Sequence, residues 1–161
     1  MSGLLCDIDG TLASNRWRQI HVETSPKDWR TFFFLASWDA PIEPVAQALR
    51  DARCAGRLIA LVSGRPEEWR GQTLEWLQRN NIPYDRLCMR PNDDRRDDIH
   101  LKRQVFEECL SDVEITEAYE DRPDLATLWE EFGVEVHLVE DPALPPCPGS
   151  DMEEAVVEPS A

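Results

Sequence analysis

The sequence predicts an α/β fold in which a mostly parallel five-stranded sheet lies between layers of helices. Three observations predict it. Five short apolar runs, starting near Leu4, Arg57, Asp85, Val113 and Val134, have the length and composition of buried strands. Between them lie stretches with apolar residues at helical spacing, long enough for right-handed crossovers. The chemistry-bearing polar residues gather just after the runs, where open parallel sheets bind their ligands.

The first run, Leu4, Leu5, Cys6 and Ile8, carries Asp7 and Asp9 at its exit and ends at the turn residue Gly10, followed by Thr11. Alternation along a strand puts both acids on one side, with Ile8 pointing into the core. Neighbouring carboxylates repel unless a cation or a shared proton relieves them, so the pair points to a metal site or acid–base chemistry. A surface turn is the plainer alternative. Leu12 to Thr24 shows no period, carries Arg16, Arg18 and His21, and reads as a loop or small hairpin beside the acids.

Ser25-Pro26 reads as a helix start, with Ser25 as N-cap and Pro26 in the first helical position. Trp29, Phe32, Phe33 and Phe34 follow, and their spacing favours core packing over a substrate platform. Trp38-Asp39-Ala40-Pro41 breaks that pattern before a helix with Val45, Ala46, Leu49 and Ala52 on one face, which stops near Gly56. The strand Arg57 to Val62 runs into Ser63-Gly64-Arg65-Pro66, repeating the geometry of the opening. A helix spans about Glu67 to Asn80, a weaker strand Asp85 to Met89, and a polar connection Arg90 to Asp98. A helix from about Ile99 to Leu110 precedes the strand Val113 to Tyr119, with Glu120-Asp121-Arg122-Pro123 at its end. Leu125, Leu128, Trp129 and Phe132 mark the last helix, and Val134 to Val139 the fifth strand, in which His137 reads as a packed residue. The body is expected to span residues 1–140, and 141–161 to form an acidic, Pro-rich, disordered tail.

Composition narrows the function. A formal charge of −15 over 161 residues falls to −9 for residues 1–139, which weighs against broad nonspecific nucleic-acid binding but leaves room for a local basic pocket. No apolar stretch approaches membrane-spanning length, and the N-terminus lacks the features of a signal peptide, so a cytoplasmic location with no membrane partner is expected. Cys6, Cys54, Cys88, Cys109 and Cys147 have no metal-type spacing and read as reduced core thiols.

Asp7 and Asp121, with Glu120 in or near the shell, form an oxygen set suited to Mg²⁺. The Ser63 hydroxyl, the Gly64 amide and the Arg65 fork suit a phosphate beside them. Lys102 is a further phosphate candidate, although its spacing alone reads as a solvated lysine paired with Asp98 at i, i+4.

Taken in order, Asp7-Ile8-Asp9-Gly10-Thr11, Ser63, Lys102 and Glu120-Asp121 resemble the haloacid-dehalogenase superfamily of aspartate-nucleophile phosphotransferases. The resemblance spans roughly residues 3–139 and implies a Rossmann-like three-layer sandwich. Val62-Ser63-Gly64-Arg65, Arg96-Asp97-Asp98, and Glu120-Asp121-Arg122 followed by Trp129 look most like the 3′-phosphatase domain of bacteriophage polynucleotide kinase/phosphatase, whose members carry Asp-Asp where this chain has Glu120-Asp121. No Gly-rich loop ending in Lys-Ser or Lys-Thr accompanies it. The resemblance implies Asp7 as nucleophile and Asp9 as proton shuttle. It implies Mg²⁺ on Asp7, the Asp9 carbonyl and Asp121 with Glu120 nearby, and Ser63, Gly64 and Lys102 on the phosphoryl oxygens. Thr11, Arg65 and a further arginine, Arg18 by residue count with Arg16 close by, are expected to serve substrate binding. Ala13 to Pro41 and Met89 to Ile99 are too short for a folded cap, so the cap is minimal or missing and the site open. The expected activity is a Mg²⁺-dependent phosphomonoesterase working through an aspartyl-phosphate, on nucleic-acid 3′-phosphate ends or nucleotides. The alternatives are another small phosphorylated metabolite, or a noncatalytic binding module.

Overall fold

The sheet is arranged around its first strand. β1 (Ser2–Cys6) lies at the centre between β2 (Leu58–Pro66) and β4 (Glu114–Glu120), with β3 (Arg86–Arg90) outside β2 and β5 (Glu135–Leu138) outside β4. All four pairings are parallel. The computed structural model describes residues 2–142. The connections hold α1 (Ile20–Glu23), α2 (Trp29–Phe34), α3 (Glu43–Cys54), α4 (Arg70–Arg79), α5 (Asp98–Gln104) and α6 (Pro123–Glu131).

Alternate residues of the central strands enter opposite cores. Leu4, Cys6, Ile59 and Leu61 pack with Val45, Ala46 and Leu49 of α3 and Trp76 and Leu77 of α4. Leu5, Ala60, Val62 and Ala118 pack on the other face with Leu110 and with Leu125, Leu128 and Trp129 of α6. Each buried leucine removed from water contributes about 1.5–3 kcal/mol, so strands apolar on both faces require helices on both faces, and three layers result. From β1 the chain moves outward through β2 to β3, then crosses to β4 on the far side. The crevice beyond the carboxyl ends of β1 and β4 is therefore the topological switch point.

Between β1 and α3 the chain makes a closed excursion. The Ser14 N–H donates to Ala40 O at 2.9 Å and the Ile42 N–H to Leu12 O at 2.7 Å, so its two ends lie together. It contains α1, α2 and single 3-10 turns, and no strand of its own. The expected helix start at Ser25-Pro26 is displaced: α2 begins at Trp29, because the Asp28 carboxylate accepts from both the N–H (3.0 Å) and the hydroxyl (2.6 Å) of Thr31. The aromatic residues of α2 do not all enter the core. Phe32 is buried, whereas Trp29 and Phe34 are 49% and 54% exposed, since α2 borders the cleft described below and buries only one face.

Asp141 is buried and accepts from the Ser14 hydroxyl at 2.6 Å and the Asn15 N–H at 3.0 Å, which adds it to the body expected to end at residue 140. The rest of the expected tail, from residue 143, lies outside the described residues. Of the expected core thiols, Cys6 is buried and Cys88 half-buried, whereas Cys54 and Cys109, both at helix ends, are exposed; Cys147 lies outside the described residues. No helix among the described residues is long and apolar enough to cross a membrane.

Candidate active site

β1 ends at Cys6, and the Asp7 N–H donates to Tyr119 O at 3.1 Å. That bond aligns Asp7 with Glu120 and Asp121 at the end of β4. The chain then turns on the Ile8 carbonyl, which accepts from the N–H groups of Thr11, Leu12 and Ala13 at 3.2, 2.9 and 2.9 Å. Gly10 sits at φ +82°, and a Cβ there would lie 2.5 Å from Asp121 Oδ2. Only glycine fits both the turn and the approach of the second acidic loop.

Lys102 reaches this point from α5. Its Nζ donates to Asp7 Oδ1 at 2.8 Å and to Glu120 Oε2 at 3.2 Å, and the side chain is buried. The spacing-based reading of a solvated lysine is overturned: Asp98 instead pairs with Arg90 (2.5 Å) and Arg122 (2.7 Å). The Thr11 hydroxyl lies 3.2 Å from Asp7 Oδ2 and 2.9 Å from Asp121 Oδ1, bridging the two acids. Burial, then repulsion from Glu120, pushes the Asp7 carboxyl well above the usual carboxylate range against the pull of Lys102. Burial likewise raises Glu120, opposed by Lys102 and reinforced by Asp121. Burial opposes the charge on Lys102, but Asp7 and Glu120 outweigh it and hold the lysine protonated.

One ammonium thus faces three acids, and the cluster is short of positive charge. Asp7, Glu120 and Asp121 each offer an oxygen within 4.8 Å of the others, an all-oxygen donor set that fits a hard divalent cation. Glu120 is the most committed of the three. Besides Lys102 it accepts from Trp129 Nε1 at 3.4 Å and from the Asp121 and Arg122 N–H groups at 3.1 and 3.4 Å.

Asp9 faces a different set of cations. Arg65 grips it with two bonds, Nε to Oδ2 at 3.0 Å and Nη2 to Oδ1 at 2.8 Å, and Arg18 Nη2 meets Oδ1 at 2.5 Å. Burial disfavours the charge on Asp9, but Arg65 and Arg18 together outweigh it and hold the carboxyl far below the usual range. Arg18 also makes a fork on Asp39, Nε to Oδ1 at 2.9 Å and Nη2 to Oδ2 at 2.6 Å, and donates from Nη1 to Phe32 O at 3.0 Å. The repulsion expected between Asp7 and Asp9 is therefore relieved by separate partners, a lysine for one and two arginines for the other.

The residues expected to serve substrate binding lie at different depths. A cleft of about 670 Å³ opens over Asp7, Asp9, Lys102 and Asp121, and Gly64 lines it. Arg18 and Arg65 do not: both are buried beneath Asp9, where carboxylates occupy their forks. Arg16, the alternative, is exposed and outside the lining. Ser63 is buried, its hydroxyl accepting the Arg65 N–H at 3.1 Å, and Thr11 is fully buried between the acids. The arginines on the rim are Arg90, Arg95, Arg96 and Arg122. Arg95 is exposed and makes no side-chain hydrogen bond or ion pair among the described residues. Sequence reasoning missed Asp39, noted only as a helix breaker, and the partners of Asp98. The signal for the rim was the polar connection itself, with adjacent Arg95 and Arg96 among paired aspartates.

A family model described as the polynucleotide kinase PNKP phosphatase domain matches residues 1–143. The chain belongs to this family. It is a phosphatase domain of haloacid-dehalogenase type. Among solved structures, a chain of the Pnkp1/Rnl/Hen1 RNA repair complex is 29% identical with a TM-score of 0.74, the match covering 86% of this chain and 42% of that one. Another structure, of a Pnkp1/Rnl/Hen1 complex, gives 28% identity and a TM-score of 0.73 over 86% and 45%. This chain therefore spans less than half the length of those two. A class C acid phosphatase from Bacillus anthracis, 15% identical with a TM-score of 0.64 over 88% of this chain and 66% of its own, shares the fold. No curated protein matches the chain.

Proposed function

We propose that the chain is a Mg²⁺-dependent phosphomonoesterase that works through an aspartyl-phosphate on nucleic-acid 3′-phosphate ends. The observation that carries this reading is the meeting of Asp7, Lys102 and Asp121 at the floor of one open cleft, from segments far apart in sequence. An Asp7 oxygen bonds to phosphorus as the bond to the leaving alkoxide breaks; water then attacks that phosphorus, releasing Asp7 and inorganic phosphate. Lys102 orients Asp7 and balances charge on the phosphoryl oxygens, and the Gly64 amide, on the cleft lining, would donate to them. Asp7 and Asp121 would hold the ion, with Glu120 fixing Lys102 and the Asp121 loop. When bound, Mg²⁺ screens the repulsion between carboxylate and phosphate.

Asp9, kept ionised by Arg18 and Arg65, is in the form that takes a proton from the attacking water. The negative charge of an arriving phosphate shifts it toward the acid form needed for the leaving oxygen. Thr11, Ser63, Arg18 and Arg65 act as positioning residues. The free cysteines among the described residues suit a reducing, cytoplasmic setting.

Phosphate release from single-stranded 3′-phosphorylated oligonucleotides, 5′-phosphorylated ones, mononucleotides and sugar phosphates tests the substrate. The 3′-phosphorylated oligonucleotides are expected to give the highest kcat/KM; equal or greater turnover of sugar phosphates would replace this reading with a metabolite phosphatase.

Metal binding has a separate readout. The raised Asp7 and Glu120 carboxyls give the metal-free protein stability that is full below their unfolded pKa values, near pH 4, and is lost as pH rises through their folded values. Mg²⁺ should therefore raise Tm more at pH 8 than at pH 5. At a hundredfold excess over Kd the gain is about 2.7 kcal/mol, roughly 5–10 °C for a domain of this size. Equal melting in Mg²⁺ and in chelator at pH 8 would remove the acids as an ion site.

A further inference from the structure

The aromatic residues of α2 are left over by the chemistry. Trp29, Phe32 and Phe33 line the cleft, as do Arg95 and Arg122. The Trp29 and Phe33 rings stack, centroids 5.9 Å apart at 23°, and Phe33 lies 6.3 Å from Trp69 at 36°. A second hollow of about 160 Å³, bounded by Trp29, Phe33, Pro66 and Trp69, continues the strip beyond the cleft. The strip is tied to the reacting groups: Arg18, which holds Asp9, also binds the Phe32 carbonyl and places its guanidinium 4.2 Å from the Phe32 ring.

Resting on the nucleic-acid reading above, we propose that Trp29, Phe33 and Trp69 form a stacking track for unpaired nucleobases on the 5′ side of the phosphate delivered to Asp7. Aromatic faces bind successive bases with little sequence preference, and cations beside them hold the backbone. Both are here. Lys27 lies 5.8 Å over the Trp29 ring, Arg30 borders the second hollow, and Arg95, without a side-chain partner among the described residues, lines the cleft. Glu68 also lines this hollow and repels further phosphates, so the track accepts about two bases. That limit agrees with a body of charge −9, which cannot hold a long polyanion.

The test compares 3′-phosphorylated mono-, di-, tri- and hexanucleotides, each scaled to turnover of an aryl phosphate by the same protein. We expect kcat/KM to rise about tenfold for each of the first two added bases, through KM, and then to level off. Trp69→Ala should remove the outer step and Trp29→Ala both, while the phenylalanine replacements keep most of the gain. An abasic residue at the second position should mimic Trp69→Ala. Equal kcat/KM for mono- and hexanucleotide, or a length dependence that both alanine variants preserve, overturns the track and leaves the 3′-end reading standing. Aryl phosphate turnover with no release from any 3′-phosphorylated substrate removes both.

Discussion

Asp7→Asn is expected to lower Mg²⁺-dependent turnover of an aryl phosphate by roughly four orders of magnitude or more, the scale seen when a covalent nucleophile is removed. The substitution changes little else. Asn keeps the shape and an oxygen that accepts from Lys102, so the 2.8 Å contact persists. It also removes one of three acids gathered around one ammonium, the one whose charge burial and Glu120 oppose most. The metal-free variant should therefore melt at or above the wild-type temperature, while its Mg²⁺-induced rise in Tm shrinks. Lost turnover with unchanged or higher Tm separates a role in chemistry from a role in folding. More than about one percent residual turnover would mean that a group other than Asp7 attacks phosphorus.

The five strands and their parallel sheet were legible because buried strands are constrained on both faces. Leu4, Leu5 and Cys6, or Ile59, Ala60 and Leu61, are apolar without a break since neighbouring residues enter different cores. The acids were legible for a related reason: Asp7 and Glu120-Asp121 interrupt or end such runs, and a parallel sheet places those interruptions together. What a local pattern could not show was the partner of each charge. Lys102 has the spacing of a surface lysine, yet it is buried against Asp7, 95 positions away. Arg18 and Arg65 carry the forks expected of phosphate binders, but Asp9 and Asp39 take them. The same limit explains α2, whose aromatic spacing is that of a core helix. It lies in a closed excursion beside the cleft, where only Phe32 finds an interior.

Asp39→Ala is expected to destabilise the protein by about 3–5 kcal/mol, the cost of leaving a buried charge without its partner. Asp39 and Arg18 have fully buried side chains, and that of Arg65 is 2% exposed. With Asp9 the group holds two positive and two negative charges and is balanced. Removing Asp39 strips two acceptors from Arg18 and one from the Trp17 indole N–H, 2.9 Å away, and leaves two arginines on one carboxylate. For a domain of this length the loss corresponds to a fall in Tm of roughly 10–15 °C. Asp39→Asn, which keeps an acceptor and the volume, should fall between the two. The excess positive charge lies under the cleft floor, so inorganic phosphate should restore more Tm to Asp39→Ala than to the wild type. A fall of less than about 2 °C in Asp39→Ala would show that the arginines do not depend on Asp39. Equal phosphate rescue in both proteins would show that their charge is not felt in the cleft.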